Sequence, residues 1–100
     1  MTRTFKPKEI VTLLGERLRK QRLFLEMSQA EVAARSGVGV NTVSNLEAGR
    51  NVSIENLVRI AMVLGRLHEL QELFQPQLNS VNDILLYESQ SKRHRIKRKG

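Results

Sequence analysis

Between Ala33 and Asn45 the chain reads AARSGVGVNTVSN, with Gly37 and Gly39 separating two runs whose apolar residues are spaced for helices. Each glycine suits one end of a helix. A helix that closes in the left-handed conformation costs glycine no Cβ clash, so Gly37 is a C-cap candidate. Gly39 precedes the next run, where glycine is an acceptable though weaker N-cap than Ser or Asp. Only Val38 lies between them, which forces the two helices into a sharp corner.

The rest of the chain keeps the helical period. Starting near Pro7 or Lys8, Val11, Leu14, Leu18 and Leu25 trace a first helix that ends near Glu26, proline being well tolerated in a first turn. SQAE, Ser28 to Glu31, has the form of a capping box and opens a second helix reaching about Ser36. After the corner a third helix runs from Val40 to Ala48, with Val43 and Leu46 three apart on one face and Gly49 as a stop. Ser53 caps a fourth, carrying Ile54, Leu57, Ile60, Ala61 and Leu64 and ending at Gly65. Leu67, Leu70, Leu73 and Phe74 predict a shorter fifth, stopped by Pro76. SVND, Ser80 to Asp83, has the form of a helix start leading into Ile84, Leu85 and Tyr87, and beyond Glu88 only a basic tail is expected. One hundred residues suffice for a single small core. The expected fold is therefore all-α: a five-helix domain over residues 1–75, then an extension over 76–100 with a short additional helix and the tail.

Charge separates the ends of the chain. Of the net +7, residues 91–100, SKRHRIKRKG, carry six basic groups and no acid. Residues 1–50 hold nine basic against five acidic residues, and residues 51–90 two against five. The first half and the tail should attract polyanions, the stretch between them not. Cysteine is absent, and His68 and His94 lie too far apart in sequence for a metal pair, so no metal or other cofactor is expected. No apolar run approaches membrane-spanning length and MTRTFKPKEI lacks a secretory signal's apolar stretch, so the expected compartment is the cytoplasm.

Ala33, Gly37, Val38, Val43 and Leu46 match the small, glycine and apolar positions of a helix-turn-helix. The wider text SQAEVAARSGV, NTVSNLEAGR and SIENLVRIAMVLG resembles the Xre family, the lambda and 434 repressor-type domain. LxxxR, SQAExA, TVSNLExG and SxxNLxxIAxxLG occur in order, and the likeness runs from about Leu14 to Leu73. It implies a DNA-binding domain in which Arg22, late in the first helix, pairs with Glu47 at the end of the recognition helix, a structural ion pair. One position departs from the pattern: Glu26 stands where the family usually has glycine, and a left-handed backbone there would cost roughly 1 kcal/mol or more.

A helix-turn-helix presents the N-terminal half of its second helix to the DNA major groove. Asn41 and Asn45 are four apart and share a face with Val40 and Ser44, while Val43 and Leu46 turn to the core. Asn can make two hydrogen bonds to adenine, Val40 can pack on a thymine methyl, and Thr42 or Ser44 can reach a base or a phosphate. Ser28 and Gln29, at the start of the second helix, are placed for the DNA backbone, since a helix N-terminus favours anions. Arg50 and Asn51, after the recognition helix, join them by family resemblance. The alternative for the whole stripe is a set of ordinary solvated polar residues.

One domain covers one half-site, so a palindromic operator in double-stranded DNA calls for a homodimer, with Leu67, Leu70 and Phe74 as candidate glue or else as plain core. The leucine-rich fifth helix, LFQP, SVNDILLYES and the basic finish look like the HipB-type antitoxins that repress their own operon and bind HipA-like kinase toxins. A solitary or phage-type repressor, or a protein- or RNA-binding module on the same fold, are the alternatives. The tail is open to three readings: solvated segment, DNA arm, or segment ordered by a partner. Enzyme readings lack parts, since GVGVNT has neither the third glycine nor the preceding strand of a dinucleotide loop.

Overall fold

A computed structural model describes residues 5–97, with side chains as far as Lys92. Helices occupy Pro7–Phe24 (α1), Gln29–Ser36 (α2), Val40–Glu47 (α3), Ile54–Val63 (α4), Leu67–Gln71 (α5) and Val81–Lys97 (α6), with no strand among the described residues. The all-α, lambda-repressor-like expectation holds.

Local chemistry fixes most helix boundaries. Ser28 Oγ accepts from the Glu31 amide while Glu31 Oε1 accepts from the Ser28 amide, both at 3.0 Å, closing the capping box. Ser53 and Ser80 cap α4 and α6 in the same way, accepting from the amides of Asn56 and Asp83. Gly37 is left-handed, with φ 75°, as the sequence predicts, and Gly39 caps α3 with an extended backbone. At the ends of α1, α3 and α4 the chain turns through one recurring motif, a left-handed residue flanked by a reverse pair of hydrogen bonds, 6→1 and 5→2. Gly49 and Gly65 supply the left-handed residue in two of them, and Glu26, φ 57°, in the third. Glu26 thus bears the strain that its place in the pattern implied. Glu26→Gly should raise the melting temperature by roughly 4–8 °C, equivalent to about 1 kcal/mol for a domain this small, and a thermal scan by circular dichroism reads it directly.

The core lies where α2, α3 and α4 meet. Val32, Ala33, Val43, Leu46, Ile60 and Leu64 are buried together, and Leu18, Met27, Val38, Val52, Leu57 and Val63 pack around them. Each of these residues precedes Gly65, so the helical corner between α2 and α3 is welded to α4 by apolar burial.

Beyond Gly65 the structure corrects two expectations. α5 stops at Gln71, leaving Leu73 and Phe74 outside it; Phe74 adopts φ 58° and is 95% exposed. The last helix is long, continuing past Glu88 through most of the basic segment to Lys97, because Ser80 and Asp83 start it firmly and no glycine or proline interrupts residues 81–97. Helical propensity of Leu, Lys, Gln and Arg outweighs repulsion between like charges there. At 17 residues α6 is about 25 Å long. Its described side chains contribute nothing to the buried core, and Val81, Ile84, Leu85, Leu86 and Tyr87 are exposed. The radius of gyration, 17.8 Å, exceeds the roughly 13 Å of a compact chain of this length, as expected when a helix projects from the body. Residues 98–100 of the tail, and residues 1–4, lie outside the described residues.

Candidate nucleic-acid interface

α3 is positioned from below. Val43 and Leu46, 1% and 3% exposed, anchor one face in the core, and successive residues rotate by about 100°, so Asn41, Ser44 and Asn45 come round to the opposite side. Val40 and Asn41 are exposed, Ser44 and Asn45 half-buried. Thr42 is half-buried at the flank of this stripe, next to Leu46 around the helix, and is the least available of the five for a base. The structure therefore brings Val40, Asn41, Ser44 and Asn45 onto one surface of one helix, with a hydrogen-bonding set of carboxamides, a hydroxyl and an apolar patch. That set can address donors, acceptors and a thymine methyl in a groove.

A buried ion pair locks α3 in place. Arg22 Nε donates to Glu47 Oε2 at 2.6 Å and Arg22 Nη2 to Glu47 Oε1 at 2.9 Å, a two-pronged contact between side chains only 10% and 7% exposed. Arg22 Nη1 also donates to the Met27 carbonyl at 2.7 Å, so one guanidinium joins α1, the turn into α2, and the end of α3. Burial pushes the Glu47 carboxyl up, but the bonds from Arg22 and Gln29 outweigh it and hold the group below its ordinary value.

Gln29, placed by the sequence at the DNA backbone, donates one Nε2 hydrogen to Glu47 Oε1 at 2.9 Å. It braces α2 against α3, and its second Nε2 hydrogen is still available to an anion. Ser28 is exposed, and its oxygen is engaged as acceptor in the capping box while its hydroxyl proton is still available to an anion. Arg50 and Asn51 are exposed beyond the C-terminus of α3.

Two residues of this region carry no local sequence signal. Lys8 Nζ donates to the Gly49 carbonyl at 2.9 Å, across 41 positions, and brings its cation to the loop that also holds Arg50. Cations at a helix C-terminus also complement its dipole. Gly15 is the second: buried inside α1, it sits so close to α3 that a Cβ there would overlap the Leu46 carbonyl oxygen. A helix-interior glycine reads in sequence only as a small propensity loss.

Two short helices at a sharp corner, the second with its outer face polar and its inner face buried, define a DNA-binding transcriptional regulator of the helix-turn-helix class. The chain belongs to the helix-turn-helix family HTH_3, whose model matches residues 18–70. Among solved structures it is similar to a chain of the SinR protein/SinI protein complex, with 26% identity and a TM-score of 0.51 over 79% of this chain and 80% of that one. Among the described residues no helix is long and apolar enough to cross a membrane.

Proposed function

We propose that this protein is a homodimeric, sequence-specific repressor that reads a palindromic operator through Val40, Asn41, Ser44 and Asn45, with Thr42 at the margin. Ser28, Gln29, Arg50 and Asn51 meet the phosphates, and Lys8 adds its charge to theirs. The observation that supports this best is the contrast along α3 between buried Val43 and Leu46 and the polar stripe opposite. Residues 1–75 serve as the DNA-binding domain and residues 76–100 as an extension for assembly. Phe74 and the apolar residues of α6 are the surface for a second chain, since monomers rarely leave so large an apolar area open to water. Leu67 and Leu70 are half-buried in α5 and belong more to the body than to that surface.

The finer role we propose is that of an antitoxin that represses its own operon together with a HipA-like kinase toxin in the cytoplasm. The ending of the chain supports it by resemblance. A second reading, a protein-binding regulator outside any toxin pair, is favoured by the exposed apolar residues of α6 and by the similar structure's being a complex with another protein.

Fluorescence anisotropy with palindromes from the promoter of its own gene, against scrambled DNA across a salt series, tests the first reading. A preference of 10³ or more for one palindrome is the expected result. Asn41→Ala and Asn45→Ala should each lose about 1–3 kcal/mol on that site and leave scrambled DNA unaffected. Equal binding to both DNAs, weakening steeply with salt, would transfer the assignment to the protein-binding regulator.

A further inference from the structure

Gly49 turns the chain at the end of α3, and Arg50 is carried back over the helix by that turn. The Arg50 amide donates to the Asn45 carbonyl at 2.9 Å and the Gly49 amide to the Leu46 carbonyl at 3.1 Å. The turn is held from outside by Lys8 on the Gly49 carbonyl and by Thr12, whose Oγ1 would lie 2.8 Å from any Cβ at Gly49. With its backbone fixed this way, Arg50 lays its guanidinium on the reading stripe, and Nη1 donates to Asn45 Oδ1 at 3.2 Å.

We infer that Arg50 is a positioning residue for base recognition, one that commits Asn45 to act as a donor, so that the Asn45–Arg50 pair selects guanine rather than adenine. This rests on the reading of α3 as the DNA-reading helix. The chemistry follows from the inventory of donors. Arginine has no acceptor, so the carboxamide atom facing it must be the oxygen, and Nδ2 with its two N–H groups faces the other way. A bidentate pair with adenine needs Oδ1 to accept from N6 while Nδ2 donates to N7. Here Oδ1 is engaged by a cation, which withdraws its electron density from a second donor. What the pair offers to the groove is mainly N–H groups, from Nδ2 and from the remaining guanidinium donors, beside an Oδ1 with one of its two lone pairs already taken and weakened as an acceptor. Guanine presents two acceptors, N7 and O6, on its major-groove edge, whereas adenine presents a donor beside its single acceptor. The paired arrangement fits the first and repels part of the second. Ordinary adenine recognition by asparagine is therefore replaced, and Arg50 becomes more than a phosphate contact.

The test is selection of binding sites from a random double-stranded DNA library by the full chain and its Asn45→Ala, Arg50→Ala and Arg50→Lys variants. Circular dichroism checks that each is folded, and Arg50, being exposed, is replaceable without loss of the core. The base whose preference disappears in Asn45→Ala marks the position that Asn45 reads. In the unmodified protein that base should be guanine, favoured over adenine by about tenfold or more, the lower range for one good base contact. Arg50→Ala should reduce that ratio to about threefold or less, or reverse it, while the other positions of the site keep their preferences. Arg50→Lys keeps the positive charge but not the planar fork, so it should also lose the preference while retaining the salt dependence of binding. Adenine at that position in the unmodified protein, or a preference unchanged in both Arg50 variants, overturns the inference and returns Arg50 to the phosphates. An unmodified protein that selects no site at all overturns the DNA-reading assignment itself, which is a different result.

Discussion

Arg22→Met should lower the stability of this domain by about 3–5 kcal/mol, the cost of stranding one charge of a buried pair. The Glu47 carboxylate would remain only 7% exposed with Gln29 Nε2 as its surviving side-chain partner, and the Met27 carbonyl would lose its donor as well. Small domains are stable by about 5–15 kcal/mol, so the loss takes a large share of the total. Replacing both partners, Arg22→Met with Glu47→Leu, removes the stranded charge and should recover most of the stability. Urea unfolding of the two single variants and the double reads this as a cycle. If the losses simply add, the two side chains act independently and the pair is no lock. The double variant also separates packing from function, because it keeps α3 folded while releasing the restraint on its C-terminal end.

The pH dependence has opposite signs in the two proteins. In the unmodified chain the Glu47 carboxyl titrates below its ordinary value of 4.5, since Arg22 and Gln29 overcome burial. Its contribution is therefore complete above 4.5 and lost as pH falls through the lowered native value. In Arg22→Met burial prevails and the carboxyl titrates above its ordinary value, so the folded state takes up the proton first. The gap in stability between the two proteins should be widest at neutral pH and narrow steadily in acid. A gap constant between neutral and acid pH would place Glu47 in water rather than in the interface.

The elements that carry their signal locally are the ones legible in the sequence. The capping boxes and caps at Ser28, Ser53 and Ser80, the glycines at 37 and 49, and the apolar spacing of α2 to α4 each depend on residues within one or two turns. Family resemblance supplied Arg22 and Glu47, which are 25 positions apart and have no local signature. What stayed hidden depends on close approach in space. Lys8 on the Gly49 carbonyl and Gln29 on Glu47 are single long-range bonds, and nothing in PKEI or SQAE distinguishes them from solvated polar residues. The length of α6 was obscured differently. SKRHRIKRKG reads as tail on its charge, although an uninterrupted run of good helix formers after a firm start continues the helix through most of it. For the stripe on α3, sequence located the face, while the turn that brings Arg50 onto Asn45 needed the backbone conformation of Gly49.

Gly15→Ala should be the most damaging single-methyl change in the domain. By helix propensity alone the substitution favours folding by about 1 kcal/mol, because alanine is the better helix former. Space decides against it. The added Cβ would overlap the Leu46 carbonyl oxygen and lie 3.2 Å from the Leu46 carbonyl carbon and 3.4 Å from the Gly49 nitrogen, all of them backbone atoms that no rotamer change can move aside. α1 and α3 would have to separate. Leu46, 3% exposed, sits on α3 and Leu18 on α1 packs against the same core, so the separation opens the apolar interior as well. Overpacking of this kind costs about 1–3 kcal/mol or more, and the backbone nature of the clash places it at the upper end. The expected fall in melting temperature is roughly 10–20 °C for a domain of this size. It should also weaken DNA binding beyond the loss of folded protein, because the displaced segment runs from Leu46 through Gly49, the stretch that orients Arg50 and supports Asn45. Gly39→Ala, where a Cβ meets nothing within 4 Å and φ is −74°, is the control, and should leave melting within a few degrees of the unmodified protein. Equal effects of the two substitutions would mean that glycine acts at both sites through chain entropy, and that α1 and α3 are not in close backbone contact.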